Sequence, residues 1–326
     1  STKPIGFTNH PSPILSEKDD SIIYEMHIRD FTIDESSGVI NDLRGTYLGA
    51  VEENTIYKNP YNGKYVKTGI DHLCELGITH VHLMPIFDFG SVDERFPGSN
   101  NRNWGYDPKN FNVPEGSYCS NPYNPVTRIL ELRQMIMKFH ERGIRVVMDM
   151  VYNHMMSTVN MDNIVPGYYF RSDYLGRYTN GSGCGNELAS ERPMVRKFII
   201  DSCLHWIKDY KIDGIRFDLM ELLDIDTTKE IVKKTTKLDK NFLIYGEPWK
   251  GGSSPLVNGT YKGSQKNENF SIFNDTFRDA IRGNNHPSSG FINGNQYSSI
   301  CNWSIIEGLK GSIYTITSNP NESINY

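Results

Sequence analysis

Two carboxylates stand out in this chain, Asp218 and Glu247, each closing a short apolar run. Asp218 ends Gly214-Ile215-Arg216-Phe217-Asp218, and Glu247 ends Leu243-Ile244-Tyr245-Gly246-Glu247, about one strand–helix unit later. In (β/α)₈ barrels, catalytic groups sit where strands end. Two carboxyl groups facing one bond are what glycoside hydrolysis requires. A single strand-end aspartate is ordinary turn chemistry, so the neighbours decide. Arg216 lies two residues before Asp218, and on an extended strand both would share a face. A guanidinium there is expected to lower the Asp218 pKa and keep it ionised, as a nucleophile must be. Pro248 and Trp249 follow Glu247. A nearby aromatic and partial burial would raise that carboxyl, leaving it protonated to serve a leaving oxygen. Asp218 as nucleophile and Glu247 as general acid/base is the arrangement of a retaining glycosidase.

Further candidates lie in two other runs. Asp149-Met150-Val151-Tyr152-Asn153-His154 ends another apolar stretch, and its imidazole could donate to a sugar hydroxyl. Asn103-Trp104-Gly105-Tyr106-Asp107-Pro108 offers two flat aromatic faces, an acidic acceptor at Asp107 and a stiffening proline. A tyrosine face can also steady a developing oxocarbenium charge.

The elements that must hold these groups alternate. Strands are expected at 21–28, 78–89, 144–151, 212–218 and 241–247. Helices are expected at 67–77, 127–143, 192–210 and 226–239, with helical pieces at 269–283 and 302–311. Loops fill 34–66 and 90–126, and a Gly-rich insertion covers 155–190 after the third strand. Alternation of this kind implies parallel βαβ units. A (β/α)₈ TIM-type barrel is the expected fold, because an open doubly wound sheet would carry a Gly-rich loop after its first strand. Residues 1–20 read as a linker from a preceding region, and 21–326 as the barrel. The chain supplies these five strands, room for a sixth after residue 250 where the pattern weakens and, at Ile324-Asn325-Tyr326, the start of a seventh, so the barrel is expected to be incomplete.

Composition narrows the partners. A net charge of −5 over 326 residues leaves no basic footprint for nucleic acid and no polybasic membrane patch. No run approaches the length of a membrane-spanning helix. The five cysteines show no paired spacing, so free thiols are expected. The start at Ser1 has no signal-peptide pattern. It fits a trimmed secreted protein and a cytoplasmic one equally.

Taken together, YEMHIRDF, the SVDE of 91–94, NWGYDP, VPEGSY, GCGNELASERPMVRKFI, GIRFDLM and YGEPW resemble the type I pullulanases. These are the α-1,6-debranching branch of the α-amylase superfamily of glycoside hydrolases. The likeness runs in order from about residue 20 to the end of the sequence. It implies Asp218 as nucleophile and Glu247 as acid/base. It implies that Arg216, His154 and Tyr106 shape the sugar subsite beside the cleaved bond, and that Trp249 lines the groove; Asp107, the acidic acceptor of its run, is a further candidate for binding substrate. Asp149 and Asn153 would support the rim, and 155–190 would form a small lobe. The implied substrate is an α-glucan such as pullulan, amylopectin or a limit dextrin, taken by a monomeric full-length enzyme. No cofactor or metal is required by these residues, although a Ca²⁺ near Asn153 and Asp149 is admissible.

One departure stands against this. The superfamily's His-Asp pair at the end of the seventh strand has no counterpart, since no His-Asp dipeptide occurs in the sequence. Two alternatives therefore stay open. One is another α-glucan hydrolase, isoamylase- or neopullulanase-like. The other is an inactive carbohydrate-binding fragment.

Overall fold

The structure, a computed structural model, describes residues 2–96, 102–283 and 289–309. Ten strands are described: β1 (Ile23–Met26), β2 (Ile56–Lys58), β3 (Tyr65–Lys67), β4 (His80–Leu83), β5 (Phe87–Phe89), β6 (Pro108–Pro114), β7 (Arg145–Met150), β8 (Gly214–Phe217), β9 (Leu243–Gly246) and β10 (Ser271–Ile272). Eight helices accompany them: α1 (Ile28–Thr32), α2 (Gly69–Leu76), α3 (Pro125–Glu141), α4 (Val159–Asp162), α5 (Pro193–His205), α6 (Ile225–Thr236), α7 (Asp275–Arg282) and α8 (Ser299–Leu309).

Six strands form one parallel sheet in the order β1-β4-β7-β8-β9-β10, curled into a half-barrel. This is the α/β architecture of a TIM-type barrel with part of its strand set. Each crossover carries chain over the outer face, so β7, β8 and β9 are buried at every position. That is why they read as near-continuous apolar runs rather than alternating ones. The edges of the described sheet are β1 and β10. The expected seventh strand at 324–326 lies outside the described residues.

Local chemistry sets the boundaries. Pro125 opens α3, and Asn124 Oδ1 accepts from Val126 N at 3.1 Å. Gly143 closes the connection at φ +77°. Leu132, Met135, Ile136 and Phe139 bury one face of α3. α5 also opens on a proline, and a π-helical turn over Trp206–Tyr210 extends it. Asp224 caps α6 by accepting from Thr227 N at 3.1 Å.

Several expected boundaries move. Strand β1 ends at Met26, because His27 turns the chain into α1 and its Nδ1 accepts from Asp30 N. The expected strand over 78–89 is two strands, β4 and β5, separated around Pro85. The expected loops at 34–66 and 90–126 contain the hairpin β2–β3 and strand β6, which pairs antiparallel with β5. The helical piece expected at 269–283 begins with β10 and becomes helical only at Asp275. Phe270 and Ile272 point inward, and α7 starts where Asn274 Oδ1 caps Phe277 N.

Beneath the sheet, the leading segment packs on the barrel. Phe7 and Leu15 are buried. Lys211 Nζ donates to the carbonyls of Thr8 and His10, and Arg133 to that of Thr2. His10 Nε2 lies 2.7 Å from His140 Nδ1, whose Nε2 lies 2.8 Å from Asp213 Oδ2.

Candidate active site

The C-terminal ends of β7, β8 and β9 carry a tight cluster of charge. Arg216 on β8 is its centre. Its Nη1 donates to both oxygens of Asp149, at 2.9 and 3.0 Å, and to Asp218 Oδ1 at 3.0 Å. Its Nη2 lies 2.6 Å from Glu247 Oε1. Asp218 and Glu247 therefore face one guanidinium from adjacent strand ends. The strand register explains this: Asp149 pairs with Arg216, and Phe217 with Gly246. Asp218 N donates to Met150 O, and Glu247 N to Phe217 O, so each carboxylate sits one step beyond its ladder.

Other groups fix the remaining lone pairs. Asn153 Nδ2 donates to Asp218 Oδ2 at 2.7 Å. Leu219 N donates to Glu247 Oε2 at 3.0 Å. Leu219 reaches that position from a left-handed backbone, φ +42°, which is costly for a branched side chain. Asp149 is fully buried and accepts from Tyr106 Oη at 2.8 Å, with His82 Nε2 at 3.4 Å. His154 Nδ1 lies 2.6 Å from Asn153 Oδ1, and the ring also bonds the Tyr106 backbone.

The charges do not balance, since three carboxylates meet one guanidinium. Burial would raise Asp149, but Arg216, His82 and Tyr106 hold it below its usual value. Asp218 behaves oppositely. Burial first, then the charge of Asp149, then that of Glu247, push it up to about 7, against the pull of Arg216 and Asn153. The sequence-based expectation was a lowered Asp218. The reason for the difference is that Arg216 is shared among three acids, and the most buried of them takes most of its field. Titration of Asp218 thus belongs to the cluster rather than to one residue. Burial lowers His154, which keeps its imidazole neutral.

The structure brings Asp218, Glu247, Arg216, Asp149, Asn153, Tyr106 and His154 together. Asp107 lies beside them, half-buried, with Asn103 Nδ2 on its Oδ1 at 3.0 Å. Trp249 stands farther along the loop, half-buried under the Arg278 guanidinium at 5.9 Å. Three contributors escaped the sequence reading. His82 is buried within β4, and its only signal was a polar residue inside an apolar strand. Leu219 acts through its backbone, which no side-chain pattern reveals. Phe273, one residue after β10, lies 5.8 Å from the Arg216 guanidinium carbon and stacks edge-on against Tyr245.

A cation beside Asn153 and Asp149 would have to displace Tyr106 Oη and Arg216 Nη1 from Asp149, and His154 Nδ1 from Asn153 Oδ1. Among the described residues, the carboxylates grouped closely enough to hold a metal ion are Asp88, Glu94 and Glu115, with oxygens within 4.8 Å of one another. There Arg128 pairs with Glu94, and the amides of Phe89 and Ser117 donate to Glu115.

Comparison with known proteins supplies an independent line. Residues 64–165 match the family described as alpha amylase, catalytic domain, a stretch that ends before Asp218 and Glu247. The pullulanase of Bacillus subtilis (strain 168) is 41% identical across 100% of this chain and 44% of its own length. Pullulanase 1, chloroplastic, of Arabidopsis thaliana is 34% identical across 90% of this chain and 34% of its own. Among solved structures, the pullulanase of Paenibacillus barengoltzii in complex with maltohexaose and α-cyclodextrin superposes with a TM-score of 0.90 at 41% identity, covering 100% of this chain and 51% of that one. The chain spans less than half the length of these two sequence relatives.

Proposed function

The chain belongs to the pullulanase group of the α-amylase family, and from that premise we propose that it hydrolyses α-1,6-glucosidic branch links with retention of configuration. The substrates would be pullulan, amylopectin or limit dextrins. The observation that carries this reading is the common grip of Arg216 on Asp218 and Glu247, at 3.0 and 2.6 Å from adjacent strand ends.

In the first step, Asp218 attacks the anomeric carbon while protonated Glu247 gives its proton to the departing glycosidic oxygen. The C1–O bond breaks and a covalent glycosyl ester forms on Asp218. In the second, Glu247, now a carboxylate, takes a proton from water. That water attacks C1 from the face the leaving oxygen vacated, the ester bond to Asp218 breaks, and the original configuration is restored. Arg216 stays fixed through both steps, offsetting the negative charge as it moves between carboxylates. Asp149 holds Arg216 and Tyr106, and Asn153 orients Asp218. The Tyr106 ring and neutral His154 would contact the sugar next to the cleaved bond. Trp249 would flank the groove.

The test is to add pullulan to the complete natural protein and follow the newly freed hemiacetal by proton NMR before mutarotation. Retention requires the α-anomer first. Early β-anomer would overturn the two-step mechanism, and release from linear α-1,4 chains alone would move the protein to another α-glucan hydrolase activity.

A further inference from the structure

Three loops meet on one buried ion pair away from the reacting groups. Arg171 and Glu187 both lie in the insertion, 2% and 0% exposed. Arg171 Nη1 donates to Glu187 Oε2 at 3.0 Å. Arg171 Nη2 reaches the carbonyl of Leu222, in the loop after β8, at 3.0 Å. Glu187 Oε2 accepts from Ser254 Oγ, in the loop after β9, at 2.7 Å. The insertion is thereby tied to both loops that leave the strands carrying Asp218 and Glu247.

The backbones themselves lock together. Gly251 N and Gly252 N both donate to Gly181 O, at 2.9 and 2.8 Å. A Cβ on Gly251 would lie 2.4 Å from Ser182 O, and one on Gly252 would lie 2.4 Å from Asn180 O. Only glycine permits that approach. At the other flank, Leu188 N donates to Asn153 O at 2.9 Å, and Asn153 holds Asp218. Cys184, at the exposed tip of the same turn, is near enough to Asp218 for that charge, after burial, to push its thiol up.

A buried ion pair is weak evidence of stability, because desolvation cancels much of its attraction; fixing register is its better-attested use. Here the pair cross-links loops whose positions decide where Trp249 stands. We propose that Glu187 and Ser254 are positioning residues: they clamp the loop at 248–254 onto the insertion and so set how tightly the site takes a branched glucan. They touch no substrate and no reacting atom. The clamp acts on binding, through Trp249, more than on bond cleavage. This inference rests on the hydrolase reading above.

The test compares the complete natural protein with Ser254→Ala, Ser254→Thr and Gly252→Ala. Ser254→Ala should raise KM for pullulan on the order of tenfold while kcat stays within about twofold. Amide hydrogen exchange over 249–254 should quicken, and Ser254→Thr should restore both. Gly252→Ala should reproduce the defect by wedging the backbones apart. Unchanged KM and unchanged exchange in Ser254→Ala would overturn the clamp, as would a lowered Tm with kcat and KM moving together. If the parent releases nothing from pullulan, the hydrolase reading fails, and the exchange comparison still decides whether the loop is clamped.

Discussion

Asp218 is held in a field that opposes its own ionisation, and two consequences follow for measurement. Its folded pKa, about 7, lies above that of an unfolded aspartate, so the folded state binds the extra proton. The stability this gives is present at low pH and lost as pH rises through about 7. Asp218→Asn should therefore stabilise the fold by about 1–3 kcal/mol at pH 8 while abolishing turnover. The gain should shrink as pH falls towards 4, as read by denaturant unfolding at several pH values. A gain independent of pH would contradict the assignment. Glu247 adds to the field that raises Asp218. With an activated α-glycosyl fluoride, which needs no acid, Glu247→Gln should keep the first step and shift its acid limb to lower pH. An unmoved limb would show that the two carboxylates do not sense each other. The pair itself was legible in the sequence because strand-end acids one unit apart have few structural explanations. The direction of the Asp218 shift was not legible, because it depends on how one guanidinium divides among three acids. Nor was His82, since a single buried histidine in a strand looks like packing.

Strand positions were easier to read than strand lengths. Each of β7, β8 and β9 falls inside its expected run, since an apolar stretch between periodic helices has few other places to go. The hairpin β2–β3 was hidden within a Gly- and Asn-rich stretch, where three-residue strands leave no measurable alternation, and the longer β6 lay in the expected loop 90–126, its two ends being prolines. Strand β10 was masked by the helix that follows it. The ladder between β8 and β9 is the element on which the site depends. Gly246 sits there with Phe217 O and Met220 Sδ each 2.7 Å from where its Cβ would be. Gly246→Ala should pry the strands apart just below both carboxylates. The expected cost is about 1–3 kcal/mol of stability and on the order of 10² in kcat/KM. Parent-like values for both would mean that the strand spacing does not set the carboxylate geometry.

At the scale of the molecule, the curled sheet holds the cluster at one end and the leading segment clasps the other. His10 in that clasp faces the Phe7 carbonyl, His140, Lys211 and Asp213. Burial is the largest influence and lowers its pKa, with His140 and Lys211 adding to it. A depressed histidine contributes stability that is present above its unfolded value, about 6.5, and lost as pH falls through the folded one. Residues 2–15 should thus be protected from proteolysis at pH 7.5 and cut readily near pH 4.5, with the difference abolished in His10→Gln. Equal protection at both pH values would show that the histidine pair does not hold the segment. The barrel class was readable from alternation alone. The clasp was not, because a Pro-rich polar segment of this kind reads equally well as a linker.

The central claim, that Asp218 is the nucleophile and Glu247 its acid/base partner, is tested most directly by trapping the ester. Glu247→Gln in the complete natural protein, treated with α-maltotriosyl fluoride, should accumulate a glycosyl–enzyme. Peptide mass spectrometry should then place one maltotriosyl group on Asp218. The same mass gain on any other carboxylate would contradict the account.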